Sequence, residues 1–151
     1  MPVQFLDTRI STGTLPETGE GAILPREPFL LGDIGLQTFA VVGTPNQSLI
    51  RVSLSGTIAV RVRSDSAVNI YVQRGGTEVL GSGVIIYSAQ IDLSDRSGHQ
   101  LLNFTAVDFP SAADAAGGQI RYTMFAARSG KSKVRVISPV TFAGTAAAGE
   151  E

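Results

Sequence analysis

From Ile50 to Arg63 the chain reads IRVSLSGTIAVRVR, and its side chains alternate in character. Ile50, Val52, Leu54, Ile58, Val60 and Val62 are apolar, while Arg51, Ser53, Ser55, Thr57, Arg61 and Arg63 stand between them. A helix would scatter these residues around its axis. In a strand successive side chains point to opposite faces, so a period of two collects the apolar ones on a single buried face. The opposite face keeps the hydroxyls and the arginines.

The same signal recurs along the chain. AVNIYVQR (67–74) follows a Ser-Asp-Ser break, and VIIYSAQIDL (84–93) alternates through Ile85, Tyr87, Ala89, Ile91 and Leu93. LLNFTAVDF (101–109) is stopped by Pro110; IRYTMFAA (120–127) and KVRVISPV (133–140) supply two further runs. LQTFAVV (36–42) ends at a Pro-Asn turn, and Gly56 reads as a bend or bulge within its strand. The alanine-rich SAADAAGG (111–118) is too short for a helix stable on its own and reads as a loop. About eight strands and almost no helix predict an all-β fold, a single antiparallel β-sandwich of the jelly-roll type. An immunoglobulin-like sandwich fits less well, because the chain has no tryptophan and no cysteine.

Residues 1–35 carry Pro2, Pro16, Pro25 and Pro28 among five glycines, a composition that disfavours regular structure. This predicts an extended N-terminal arm or connector over 1–35, with Val3–Ile10 as one short strand. The sandwich then occupies 36–143, and the small, charged end GTAAAGEE (144–151) reads as a flexible tail. The arm is rich in apolar side chains that need a surface to lie on. It can lie on its own domain, or it can reach a neighbouring copy and add a strand to its sheet edge, which would drive self-assembly. The interface expected on that reading comprises Phe5, Leu6, Ile10, Ile23, Leu24, Phe29 and Leu30, with Arg51, Arg61 and Arg63 facing the neighbour.

At 151 residues the chain can bury about 70% of its unfolded surface in one core. Twelve Lys and Arg against thirteen Asp and Glu give no global attraction to nucleic acid or to an anionic membrane, and neither is expected as a partner. The absence of cysteine excludes disulfides and thiolate chemistry. The N-terminal residues show no recognisable signal peptide, and no apolar run is long enough to span a bilayer.

Candidate chemistry is sparse. A Ser-His-Asp arrangement could form only around His99, with Asp92 or Asp95 orienting it, but an exposed loop histidine accounts for that residue better. Asp92, Asp95, Asp108 and Asp114 follow no metal-loop spacing, and no phosphate-cradling glycine motif is present, so neither metal nor cofactor is expected. Leu15 to Gly19 spell LPETG, a sortase-type pentapeptide, but no apolar span and basic tail follow it. The expected role is non-enzymatic. A carbohydrate-binding module stacking sugars on Tyr71, Tyr87 or Tyr122 is the alternative from another class.

In RVSLSGTIAVRV and VNIYVQRGGTEVLGSG the chain resembles bacterial spore-surface jelly-roll proteins. These are the tumour-necrosis-factor-like heads of exosporium proteins and the subunits of endospore appendage fibres. The resemblance covers about Leu36 to Val140. It implies a structural subunit of a surface fibre or coat, located on the spore surface, with copies of itself and other spore-surface proteins as partners. Appendage subunits of this kind often cross-link through cysteine, which this chain lacks, so its contacts would be non-covalent. A phage or virion structural protein is consistent with the same features.

Overall fold

The computed structural model describes residues 3–12 and 22–150. Its strands are β1 (Gln4–Thr12), β2 (Ala22–Ile23), β3 (Phe29–Gln37), β4 (Ile50–Val62), β5 (Ala67–Arg74), β6 (Val84–Asp92), β7 (Gly98–Asp108), β8 (Gln119–Arg128) and β9 (Arg135–Ala148). One sheet has the order β1-β9-β4-β7, with β2 paired to β9, and the other has the order β3-β8-β5-β6. All pairings are antiparallel. With the two-residue β2 set aside, eight strands fall into two four-stranded sheets, and only β5 and β6 are consecutive neighbours in one sheet. Every other connection crosses between the sheets, which is the double Greek key of a jelly roll.

The alternation over 50–62 holds along the whole of β4. Its even-numbered residues are buried and, Ala59 apart, its odd-numbered ones are at least partly exposed. Gly56 is not the bulge: it pairs in register with both β7 and β9, and the shift in β4, against β9, falls between Ile58 and Ala59. It makes room instead. A Cβ there would overlap the ring of Phe104 and come within 2.9 Å of Met124 Sδ. Phe104 stacks on Tyr87 with ring centroids 5.0 Å apart and lies 6.5 Å from Phe142. Phe142 in turn lies against Gly32, where a Cβ would sit 2.6 Å from Phe142 Cβ. Inward-facing glycines and large rings thus interlock across the core.

The expected arm is not an arm. β1 pairs with β9 from Gln4 to Thr12, and β3 pairs with β8 from Phe29 to Gln37, so both complete the sheets of their own chain. The glycines that suggested irregular structure, Gly32 and Gly35, lie inside β3, where Phe142 and Gln119 approach the backbone too closely for a side chain. β1 and β3 are also tied together. Asp7 Oδ2 accepts from Gln37 N at 2.9 Å, and Ser11 Oγ accepts from Asp33 N at 3.3 Å. Those two donors lie on the free edge of β3, and capping them blunts an edge that could otherwise pair with another chain.

Three further expectations change. Residues 144–148 are not tail but the end of β9, seated between β1 and β4, with Ala146 and Ala148 fully buried. The run 36–42 is split: Leu36 and Gln37 end β3, and Phe39–Val41 form a 3-10 turn. Ala112–Ala115 form one helical turn (α1), because Ser111 and Asp114 cap each other's backbone donors in a capping box. LPETG (15–19) lies outside the described residues.

Candidate functional site

The residues expected at an interface separate into two groups. Leu24 is fully buried, Leu6 packs against the core and Leu30 is half-buried, so these three serve their own sandwich. Phe5, Ile10, Ile23 and Phe29 are exposed, at 64%, 71%, 48% and 49%. Phe5 and Ile10 point away from the core on the outer face of the first sheet, in register with Ala147 and Ala143 of β9. Arg51 and Arg61 lie on this same face, near its two ends, and Arg63 lies just beyond β4. Arg51 Nη2 donates to Gly149 O at 3.0 Å.

Strand register gives the composition of that face row by row. Thr8, Thr145, Ser53 and Val107 form one row; Ile10, Ala143, Ser55 and Thr105 the next; Thr12, Thr141, Thr57 and Asn103 the third. Ile137, Ala59 and Leu101 follow. No charged side chain occurs in these rows. The hydroxyls are engaged sideways: Thr8 Oγ1 and Thr145 Oγ1 are 2.6 Å apart, and Thr57 Oγ1 donates to Asn103 Oδ1 at 2.8 Å. Exposed apolar residues flank the face on both edges, Phe5 and Ile10 on β1, and Leu101 (57%) and Val107 (64%) on β7. The outer face of the second sheet is different in kind. There Arg121 forms a two-pronged ion pair with Asp33, at 2.9 and 2.6 Å.

The buried titratable groups gather at the end of the sandwich where β9 finishes. Arg74 Nη1 donates to both oxygens of Asp108, at 2.7 and 2.8 Å, and the Tyr122 hydroxyl donates to Asp108 Oδ2 at 2.8 Å. Arg74 Nε lies 3.4 Å from Asp114 Oδ2, an ion contact without a hydrogen bond. Burial pushes the Tyr122 phenol well above its ordinary value, and its bond to the Asp108 carboxylate pushes it further. Asp108 comes from the first sheet, Arg74 and Tyr122 from the second. The cluster therefore closes the sandwich and leaves none of its three central members free for a ligand.

Neither enzymatic nor sugar-stacking candidates are assembled. His99 is exposed on β7 opposite Arg61, while Asp92 accepts from Ser94 instead. Tyr122 is fully buried, and Tyr71 and Tyr87 are both half-buried, Tyr87 with its ring stacked on Phe104. Among the described residues no group of three or more His, Cys, Asp or Glu could hold a metal ion, and no helix is long and apolar enough to cross a membrane.

No protein-family model matches the chain, and no curated protein does. Solved structures resemble the chain at low identity. The Eiger TNF of S. frugiperda is 10% identical with a TM-score of 0.47, over 98% of this chain and 94% of that one. Murine APRIL at pH 8.0 is 10% identical with a TM-score of 0.44, over 95% and 98%. The VP2 subviral particle of infectious bursal disease virus is 12% identical with a TM-score of 0.41, over 95% of this chain but 32% of that one. At such identities and scores nothing passes to this chain. The jelly-roll assignment rests on strand order.

Proposed function

We propose that the chain is a non-enzymatic, self-assembling structural subunit, and that copies meet through the outer face of the first sheet. The observation that carries this is the uncharged centre of that face between two apolar edges. A charged face repels its own copy unless the signs alternate, whereas a neutral one of small residues can lie against itself without desolvating a charge. Four strands about 4.8 Å apart and four rows about 6.8 Å apart give a patch of roughly 500 Å². A stable interface buries about 800 Å² per partner, so one face alone predicts a weak, concentration-dependent contact. A coat or fibre on a spore surface, as the resemblance implies, is built from many such contacts, and other spore-surface proteins would be its neighbours. A virion coat would use the same property.

Sedimentation equilibrium over a concentration series tests the proposal. Wild type should show a mass rising with concentration, and Ser55→Glu with Ala143→Glu should stay monomeric with an unchanged circular-dichroism spectrum. A wild type that is monomeric at millimolar concentration, or a doubly substituted protein that still associates, overturns the role of this face.

A further inference from the structure

The row beyond Ile137, Ala59 and Leu101 has a different character. Arg61 of β4 lies directly opposite Arg135 of β9 on one side and His99 of β7 on the other. Like charges in directly opposed cross-strand positions destabilise a sheet. A cleft of ≈ 850 Å³ opens here, lined among others by Arg61, Arg63, Lys133 and Arg135, with Ser97 and Ser132. No acidic residue lines it. The four cations form no ion pair among the described residues, in contrast to Arg9, Arg74 and Arg121, which each have a carboxylate partner. Four uncompensated cations converge on one concavity, two of them held side by side by strand register.

We propose that this cleft binds a compact, multiply charged oxyanion bearing phosphate or sulfate groups. Guanidinium groups match the oxygens of such anions in paired hydrogen bonds, and the Ser97 hydroxyl adds a donor, that of Ser132 being given to Ser64 O. The volume lies in the range of small-molecule sites. An extended polyanion or a lipid surface needs a basic track, and here the adjoining rows of the sheet are uncharged. An anion in the cleft also removes the repulsion between Arg61 and Arg135, so binding and folding stability are linked. This site is independent of the assembly face, and either can fail without the other.

Titration calorimetry in low-salt buffer, with tripolyphosphate and with sucrose octasulfate as probes, tests the site. At least one probe should bind saturably at one per chain; which of them binds separates a free polyphosphate from sulfate esters on a sugar. Arg61→Gln and Arg135→Gln should each weaken that binding by about tenfold or more. Arg9→Gln, which removes the same charge elsewhere, should leave it within about twofold. Without anion, Arg135→Gln should melt about 1 to 3 °C higher than wild type in low salt, because a repulsion is gone. The proposal is overturned if neither probe saturates at millimolar concentration or if Arg9→Gln weakens binding as much as Arg61→Gln. It is equally overturned if a 30-base-pair DNA duplex or phosphatidylserine vesicles bind through these arginines more tightly than both probes.

Discussion

Replacing Asp108 by alanine should be among the costliest single changes in this molecule, and its magnitude follows from what it leaves behind. Asp108 accepts two hydrogen bonds from Arg74 and one from Tyr122. Losing one partner of a fully buried ion pair costs about 3 to 5 kcal/mol. Arg74 keeps Asp114 at 3.4 Å and its side chain is 17% exposed, so its share is nearer 2 kcal/mol. The Tyr122 hydroxyl, in a fully buried residue, is left without an acceptor at about 1 to 3 kcal/mol. The sum is about 3 to 5 kcal/mol, equivalent to a fall in Tm on the order of 10 °C for a chain of this size. Urea unfolding followed by circular dichroism measures it, the chain having no tryptophan to report by fluorescence. Non-additivity identifies the mechanism. Tyr122→Phe should cost about 1 kcal/mol in wild type and nothing, or less than nothing, in the Asp108→Ala background, since the orphaned hydroxyl is then removed. Equal costs in both backgrounds, or an Asp108→Ala cost below about 1 kcal/mol, would refute the reasoning.

Gly56→Val should destabilise by about 1 to 3 kcal/mol through its collision with Phe104 and Met124, while Ser55→Val, one residue away on the outer face, should stay within about 0.5 kcal/mol; the same unfolding assay compares them. Tyr122 ionises far above its ordinary value of 10.0 in the folded chain but near that value when unfolded, so its contribution is complete below pH 10 and lost above it. Alkaline destabilisation, read as Tm between pH 9 and 11, should therefore be smaller in Tyr122→Phe. Partial burial pushes the Asp114 carboxyl upward, but hydrogen bonds from the Ser111 backbone and hydroxyl and the charge on Arg74 outweigh it and hold the group below 3.8. Its contribution is complete above about pH 4 and lost as pH falls through the lowered value. Ser111→Ala should cost about 1 kcal/mol at pH 7 and reduce the loss of Tm between pH 4 and 2.

What could be read from sequence was what period-two alternation records. β4, Gly56 apart, and β5 carry branched apolar residues at every second place, and their faces follow directly. β3 and the end of β9 do not, because their inward positions include Gly32, Gly144, Ala146 and Ala148, small residues that are buried beneath Phe142, Ile34 and Leu54 or fill the centre of a sheet. A small residue in a core and one in a loop look alike until its neighbours are known. The assembly face was half visible, since Ser53, Ser55 and Thr57 were evident on β4. Its neutrality was not, because that depends on β1 and β9 supplying Thr8, Thr141 and Thr145 alongside. The cation cleft was hidden for the same reason. Arg61 and Arg135 are remote in sequence, and only register sets them side by side.

The pairing of β1 with β9 brings Gln4 opposite Ala148. Both chain ends of the described structure therefore leave from one pole, beside the Asp108 cluster, while Arg135 begins β9 at the other, about 40 Å away by strand rise. Anything fused ahead of or behind this domain attaches at the same pole. A tether there, at either terminus, leaves the cation cleft at the far pole, so display on a support through one end keeps the anion site addressable. It also means that a short linker could join Gln4 to Ala148 and that new ends could be opened in the loop at Asp95 to Ser97, giving a permuted chain anchored by its opposite pole.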